Sequence, residues 1–434
     1  MIEIPAVVSR LRTAFAAGRT KPLAWRREQL GALKRMLLER EDDFLEALHT
    51  DLGKNAVEAQ RTEVVFIVNE VDDTLEHLDE WLAPQPAALP PRLQPGEGRV
   101  VREPLGVALI IGPWNYPLHL ALAPLVGVLA AGNAAVVKPS ELSPTVSAAI
   151  ARLVPEYLDR EAVAVVEGAI PETTELLAQR FDHIFYTGNG AVGRIVMTAA
   201  AKHLTPVALE LGGKSPVIVD TDVDLGVVAE RIVDTKFLNA GQTCVAPDYV
   251  LALGDTAAKL EPLLAQALRA KFGDDPAESP AYGRIVNTRH FDRLARLLAS
   301  GRVVTGGRTD RAAKFIAPTV LTEVAPDSPV MGEEIFGPIL PILSVPSLDD
   351  AIAFITGRDK PLALYAFTGS EANKQRILAE TSSGAVTFGM PVLHLVAPEL
   401  PFGGVGESGM GRYHGKYSID TFSNLKAVLD KPLS

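Results

Sequence analysis

The apolar and polar positions change their period twice along this chain, and those changes divide it. Leu30, Leu33, Met36, Leu37, Phe44, Leu45 and Leu48 recur at helical spacing, and Gly53 supplies a stop. A second helical pattern runs from about Glu58 to Trp81. Five prolines within residues 84–95 then predict a break or an extended excursion at a domain edge.

Residues 107–137 are nearly all apolar and long enough to span a bilayer. Gly112-Pro113-Trp114-Asn115-Tyr116-Pro117, Pro124 and Gly132-Asn133 interrupt the run. That punctuation predicts a buried strand at 107–111, a buried helix at about 118–131 and a second buried strand at 134–138. Such a unit belongs to a doubly covered parallel sheet rather than to a membrane. Strands are also expected at 162–166, 183–186 and 207–211, with helical stretches before and between them.

After Gly212 a second alternating set begins. It comprises a helix at 225–238, a strand at 249–253, helices near 260–270 and 291–298, and strands near 340–344 and 362–368. The predicted class is α/β, with two units and a ligand crevice between them at the carboxyl ends of the strands.

Composition narrows the function classes. The 434 residues suffice for two or three domains, and 47% hydrophobic with 22% charged residues is an ordinary globular balance. A net charge of −11 argues against nucleic acid or an anionic membrane as partner. No basic-then-apolar leader is read in residues 1–10, nor an apolar or lipidated tail, so a cytoplasmic protein without a membrane anchor is expected.

The chain has one cysteine, Cys244, which excludes an intramolecular disulfide and a Cys-rich zinc site; no metal is expected. A lone thiol is either a small buried hydrophobe or a nucleophile. In Asn239-Ala240-Gly241-Gln242-Thr243-Cys244 it follows an apolar helix, and Gly241 lets the chain turn the thiol and its own N–H toward a cleft. Glu210, in Glu210-Leu211-Gly212-Gly213-Lys214, ends a strand before a glycine pair, the place for a general base or for a solvated turn residue. Asn115, fixed between prolines and aromatics, is a donor to an oxyanion or a plain turn asparagine. In Glu333-Glu334-Ile335-Phe336-Gly337-Pro338 a carboxylate could hold ribose hydroxyls while Phe336 packs on a flat ring.

Phosphate recognition is less marked, since no G-x-G-x-x-G follows a strand. Thr187-Gly188-Asn189-Gly190-Ala191-Val192-Gly193 does follow one and opens a helix, whose N–H groups suit a pyrophosphate. Lys138 and Glu141, in Lys138-Pro139-Ser140-Glu141, could reach an adenosine ribose. Glu141 would accept from a free 2′-hydroxyl but repel a 2′-phosphate, whereas Lys138 tolerates either.

Six ordered motifs together resemble the NAD(P)-dependent aldehyde dehydrogenase superfamily: Pro-Trp-Asn, Val-Lys-Pro-Ser-Glu, the glycine turn at Gly188 and Gly193, Glu-Leu-Gly-Gly-Lys, Gly-Gln-Thr-Cys and Glu-Ile-Phe-Gly-Pro. The likeness covers nearly the whole chain. Ala246-Pro247-Asp248-Tyr249 and the tail from Leu400 through Lys416 look like its class 3 branch.

The resemblance implies a Rossmann-like cofactor domain (1–82 and 104–211), an α/β catalytic domain (212–399), and a small bridging or oligomerisation element (83–103 and 400–434) that would form a homodimer. It also assigns roles. Cys244 is the nucleophile, and the Asn115 amide with the Cys244 N–H holds the oxyanion. Glu210 is the deacylating base in most of the family; in class 3 proteins the residue matching Glu334 has also been given that role. Trp114, Lys138, Glu141, Thr187, Gly188, Gly193, Glu334 and Phe336 would contact NAD, with NADP as an alternative.

Tyr116, Leu238, Thr243, Phe388 and Phe402 are expected along an apolar tunnel, which suits medium-chain aliphatic or aromatic aldehydes. Three other readings remain. A CoA-acylating relative typically lacks the glutamate matching Glu210. A cysteine hydrolase needs a histidine partner, and none of the eight histidines lies close to Cys244 in sequence. A non-catalytic relative should have lost the chemical residues.

Overall fold

The computed structural model describes residues 3–433. The amphipathic patterns at the start become three helices, Ile4–Ala16, Leu23–Glu39 and Glu41–Leu52. The last ends on Gly53 in the left-handed conformation, φ 66°, with its N–H returned to the His49 carbonyl. The second predicted helix is interrupted where it begins. A turn of α-helix, Ala56–Ala59, widens into a π-helical turn, Gln60–Val64, before the long helix Val65–Leu82.

The apolar run at 107–137 is core. Strands Val107–Ile111 and Ala134–Lys138 are buried throughout, and so is every residue of the helix His119–Ala131 between them. Gly127 of that helix lies against Ser418 and Phe422, where a side chain would collide. Among the described residues no helix is long and apolar enough to cross a membrane.

Two sheets dominate. In the first, Val207–Glu210, His183–Thr187, Val107–Ile111, Ala134–Lys138 and Val163–Val165 run parallel in that order, with Gly409–Met410 antiparallel on the outer edge of Val207–Glu210. The second has seven strands, ordered Arg302–Thr305, Thr319–Thr322, Ile339–Val345, Tyr249–Leu253, Pro216–Val219, Ala363–Phe367 and Ala385–Phe388. All are parallel except Arg302–Thr305. The helix expected to reach 238 ends at Lys236 and gives way to a short 3-10 turn, Leu238–Gly241.

A third sheet is antiparallel and separate, made of Gln85–Ala87, Glu97–Pro104 and Ser423–Asp430. The proline-rich excursion thus starts a sheet with the end of the chain. Residues 400–422 do not join it: Gly409–Met410 pairs with the first large sheet, and helix Gly415–Thr421 packs on helices Val65–Leu82 and His119–Ala131.

One sequence expectation is corrected by topology. The crevice was placed at the carboxyl ends of the strands in both units, and only the first sheet obeys. Asn115, Lys138, Thr187 and Glu210 all lie at or just beyond carboxyl ends there. In the second sheet, the loops bearing Cys244 and Glu334 lead into the amino ends of Tyr249–Leu253 and Ile339–Val345. The cause is the crossing: the chain leaves the first sheet at Glu210 and starts Pro216–Val219 after only the Gly212-Gly213 turn, so the second sheet faces the crevice with its amino edge.

Candidate active site

The thiol sits on a wound loop. Asn239, Ala240 and Gly241 are all left-handed, with φ of 51°, 53° and 75°, a conformation that costs roughly 1–2 kcal/mol at each non-glycine residue. Hydrogen bonds hold it. The Asn239 N–H donates to Glu58 Oε1 at 2.6 Å, and the Asn239 side-chain amide donates to the Asn115 carbonyl at 2.7 Å. Gln242 donates to the Asn239 and Arg284 carbonyls and accepts from the Val286 N–H. Gly241 presses on the Gly337 carbonyl, so any side chain there would collide. Gly241→Ala is therefore expected to lose about 2–3 kcal/mol of stability, a lowered melting temperature, together with most activity.

Cys244 ends this loop half-buried. Burial first, then the nearby Glu334 and Glu210 carboxyls, push its thiol up to about 12 against the opposing pull of the Cys244 and Val245 N–H groups. These surroundings favour the neutral thiol. Thiol and carboxyls share one small space, so ionising one disfavours the others and they titrate jointly.

Glu210 is the last residue of its strand, paired in register with Thr187 on one side and Gly409 on the other. Both of its carboxyl oxygens are buried without a hydrogen-bond partner. Burial raises its pKa well above the usual carboxyl range, and only Arg412 opposes this. Glu334 reaches back across the glycine pair: its carboxyl occupies the place where a Gly212 side chain would be, beside the Gly213 N–H. Burial, reinforced by Asp248, pushes it up to about 8. It also lines a cavity of about 600 Å³ with Lys214, Arg358 and Lys360. Its loop is fixed by Arg293, which donates to the Glu334 and Ile335 carbonyls, and by Asp248, which accepts from the Ile335 N–H at 2.9 Å.

The Asn115 side-chain amide donates to the Gln242 carbonyl at 3.0 Å. One N–H is thereby anchored on the cysteine loop while the other stays available to a ligand. The structure thus joins Asn115, the cysteine loop and the two glutamates around one space.

The residues expected at a dinucleotide fit one. Thr187 Oγ1 is buried and unpartnered, and Gly188 leaves room that any side chain would close against Tyr186. Asn189 caps the helix Gly190–Ala201, its side chain accepting from the Val192 N–H and its carbonyl from the Gly193 N–H, both at 3.0 Å. Gly193 packs on Leu211 within that helix. Lys138, buried, donates to Glu141 at 2.8 Å. Phe336, at φ 49°, turns its ring edge-on to Trp114, 5.3 Å between centroids.

Of the expected tunnel residues, Tyr116 and Thr243 are joined by a 2.8 Å hydroxyl contact. Phe402 lies in an aromatic group with Tyr413 and the stacked imidazole of His394. Leu238 opens the turn leading to the thiol, and Phe388 sits half-buried on an edge strand.

The sequence reading gave no role to the polar residues that hold these loops, Lys54, Glu58, Glu63 and Asp248. Glu58 and Glu63 stand in a helical stretch and read as a solvated face, and nothing in the spacing of the four signals burial.

The family model described as "Aldehyde dehydrogenase family" matches residues 3–428. A dog protein named "Aldehyde dehydrogenase, dimeric NADP-preferring" is 50% identical over 433 residues, 100% of this chain and 96% of its own. The mouse "Aldehyde dehydrogenase family 3 member A2" is 52% identical over 426 residues, 98% of this chain and 88% of that one. The solved Staphylococcus aureus AldH, in a substrate-bound state, superposes with a TM-score of 0.97 at 46% identity, covering 100% of this chain and 95% of that one.

Proposed function

This chain belongs to the aldehyde dehydrogenase family and oxidises aldehydes to carboxylic acids with NAD(P), and from that premise we propose that Cys244 carries the reaction covalently, with Asn115 as oxyanion donor and Glu210 as base. The observation that carries this reading is a carboxyl group, Glu210, buried with neither oxygen partnered and close enough to raise the Cys244 thiol. A buried, unsatisfied carboxyl costs stability, and an active site is where such a cost is retained.

In this reading Cys244 adds to the carbonyl carbon as the thiolate, its proton having passed to solvent. The new oxyanion accepts from the Asn115 amide and the Cys244 N–H. Collapse gives a Cys244 thioester, and NAD(P), when bound, supplies the acceptor for the two electrons removed. Glu210 next removes a proton from the water that attacks the thioester, which frees the acid and restores the thiol. Glu334, Trp114, Phe336, Lys138, Glu141, Thr187, Gly188 and Gly193 would bind the dinucleotide. A tunnel past Tyr116, Leu238, Thr243, Phe388 and Phe402 would admit medium-chain aliphatic or aromatic aldehydes.

The proposed organisation has a cofactor part, a catalytic part and the three-stranded element as dimer contact. The edge strand Ser423–Asp430 exposes Leu425 and Leu429, and one relative carries "dimeric" in its name. We place the protein in the cytoplasm.

The test is the rate of NADH and NADPH formation with aliphatic and aromatic aldehydes in the absence of CoA. Acid and reduced cofactor should form in equal amounts, and a requirement for CoA would overturn the reading. The same assay has a pH dependence with a fixed sign. Burial raises Glu210 well above the usual carboxyl range, so its basic form increases as pH rises above that range. Deacylation-limited kcat should therefore climb with pH beyond the ordinary carboxylate range; a flat or falling profile would count against a carboxylate base.

A further inference from the structure

One buried charged group takes no part in that chemistry and touches its scaffold. Lys54 and Glu63 are both 0% exposed and form an ion pair at 2.5 Å. The Lys54 ammonium also donates to the Asn115 main-chain carbonyl at 3.0 Å and lies 3.8 Å from the centre of the Tyr116 ring. The second oxygen of Glu63 accepts from the Leu118 and His119 N–H groups at 3.1 and 2.9 Å. The pair therefore grips residues 115–119 at both ends, including the residue whose amide would meet the oxyanion.

The same segment grips the opposing loop. Glu58 accepts from the Asn239 N–H, and the Asn239 side chain donates to the carbonyl that Lys54 holds. Two loops far apart in sequence thus share one acceptor, the Asn115 carbonyl. Tyr116 adds a further tie through Thr243, the residue before the thiol.

A backbone distortion accompanies the pair. Glu63 lies within the π-helical turn Gln60–Val64. Such turns are rare and frequently mark functional sites. Stability alone accounts poorly for a buried ion pair, because well-packed apolar residues of similar volume are often as good or better.

We propose that Lys54 and Glu63 are positioning residues, which set the Asn115 loop against the cysteine loop so that the Asn115 amide and the Cys244 N–H converge on one oxyanion. The inference rests on the assignment of Asn115 as oxyanion donor. Lys54 and Glu63 do not touch substrate; they act through Asn115.

The test is a double-mutant cycle on the full-length enzyme, with kcat, aldehyde KM, NAD affinity and melting temperature measured for each variant. Lys54→Met with Glu63→Leu removes both charges together and leaves no lone buried ion. It should fold with NAD affinity within about twofold of the parent, while kcat falls about 10- to 100-fold. In an Asn115→Ala background the same pair should produce almost no further loss. Should the apolar pair fail to fold, Lys54→Gln with Glu63→Gln keeps hydrogen bonding without charge and is read in the same way.

Unchanged kcat in the paired variant overturns the inference. So does an equal loss in both backgrounds, or a loss of kcat accompanied by lost cofactor affinity. If Asn115→Ala itself leaves kcat intact, the oxyanion assignment fails first and the inference falls with it. If Asn115→Ala is slow but the paired variant is fast, only the inference fails.

Discussion

Cys244→Ser should reduce aldehyde oxidation by about three orders of magnitude or more while NAD affinity stays close to that of the parent. A serine hydroxyl is a far weaker acid than a thiol, and the same burial and nearby carboxyls that raise the thiol to about 12 would hold it neutral more firmly. Cys244 is the only cysteine in the chain, so no second thiol can substitute. The exchange changes one atom on a loop held by Glu58, Asn115 and Gln242, so folding and cofactor binding should persist. Steady-state rates and a direct titration of NAD on the same preparation check both halves. Normal turnover in the serine variant would end the covalent mechanism.

Glu210→Gln should separate the two half-reactions. The amide keeps the shape of the side chain but cannot accept a proton from water, so the first turnover should still release a burst of NADH. Steady turnover should then fall about 10²- to 10⁴-fold, a barrier increase of roughly 3–5 kcal/mol. Glu334→Gln should behave differently, with weakened cofactor binding and a largely retained rate of hydrolysis. That contrast decides between the two carboxyls. Glu210 has both oxygens buried and free, whereas Glu334 is packed on the Gly212-Gly213 turn and lines the cavity of about 600 Å³.

Much of this arrangement is legible in the sequence. The strands Val107–Ile111, Ala134–Lys138 and Tyr249–Leu253 emerge with the boundaries that the punctuation predicts, because a fully buried parallel strand is a short apolar run closed by turn residues. Strands Thr319–Thr322 and Ala385–Phe388 were not legible. They are four residues long with threonine inside them, and their place in the sheet comes from neighbours distant in sequence.

The site divides along the same line. Asn115, Cys244 and Glu334 stand in loops and Glu210 at the end of a strand, all near glycine or proline, where local sequence marks a special backbone. Glu58 and Glu63 stand in a helical stretch whose charges look solvated, and Lys54 stands in the short linker between Gly53 and Ala56 with nothing nearby to signal its burial. Their burial follows from how the first helices pack on residues 115–119 and on the 3-10 turn Leu238–Gly241, which no local pattern encodes. The orientation of the second sheet was likewise hidden until the short Gly212-Gly213 crossing was seen in space.

The central claim is that oxidation passes through a thioester on Cys244, and peptide mass analysis of Glu210→Gln tests it most directly. The variant is mixed with NAD and an aldehyde, quenched in acid during the slow phase, and digested. The account predicts that the peptide containing Cys244 gains the mass of the acyl group in near-stoichiometric amount, and that the Cys244→Ser, Glu210→Gln double variant shows no such gain. NADH release at the burst amplitude with an unmodified Cys244 peptide would contradict it.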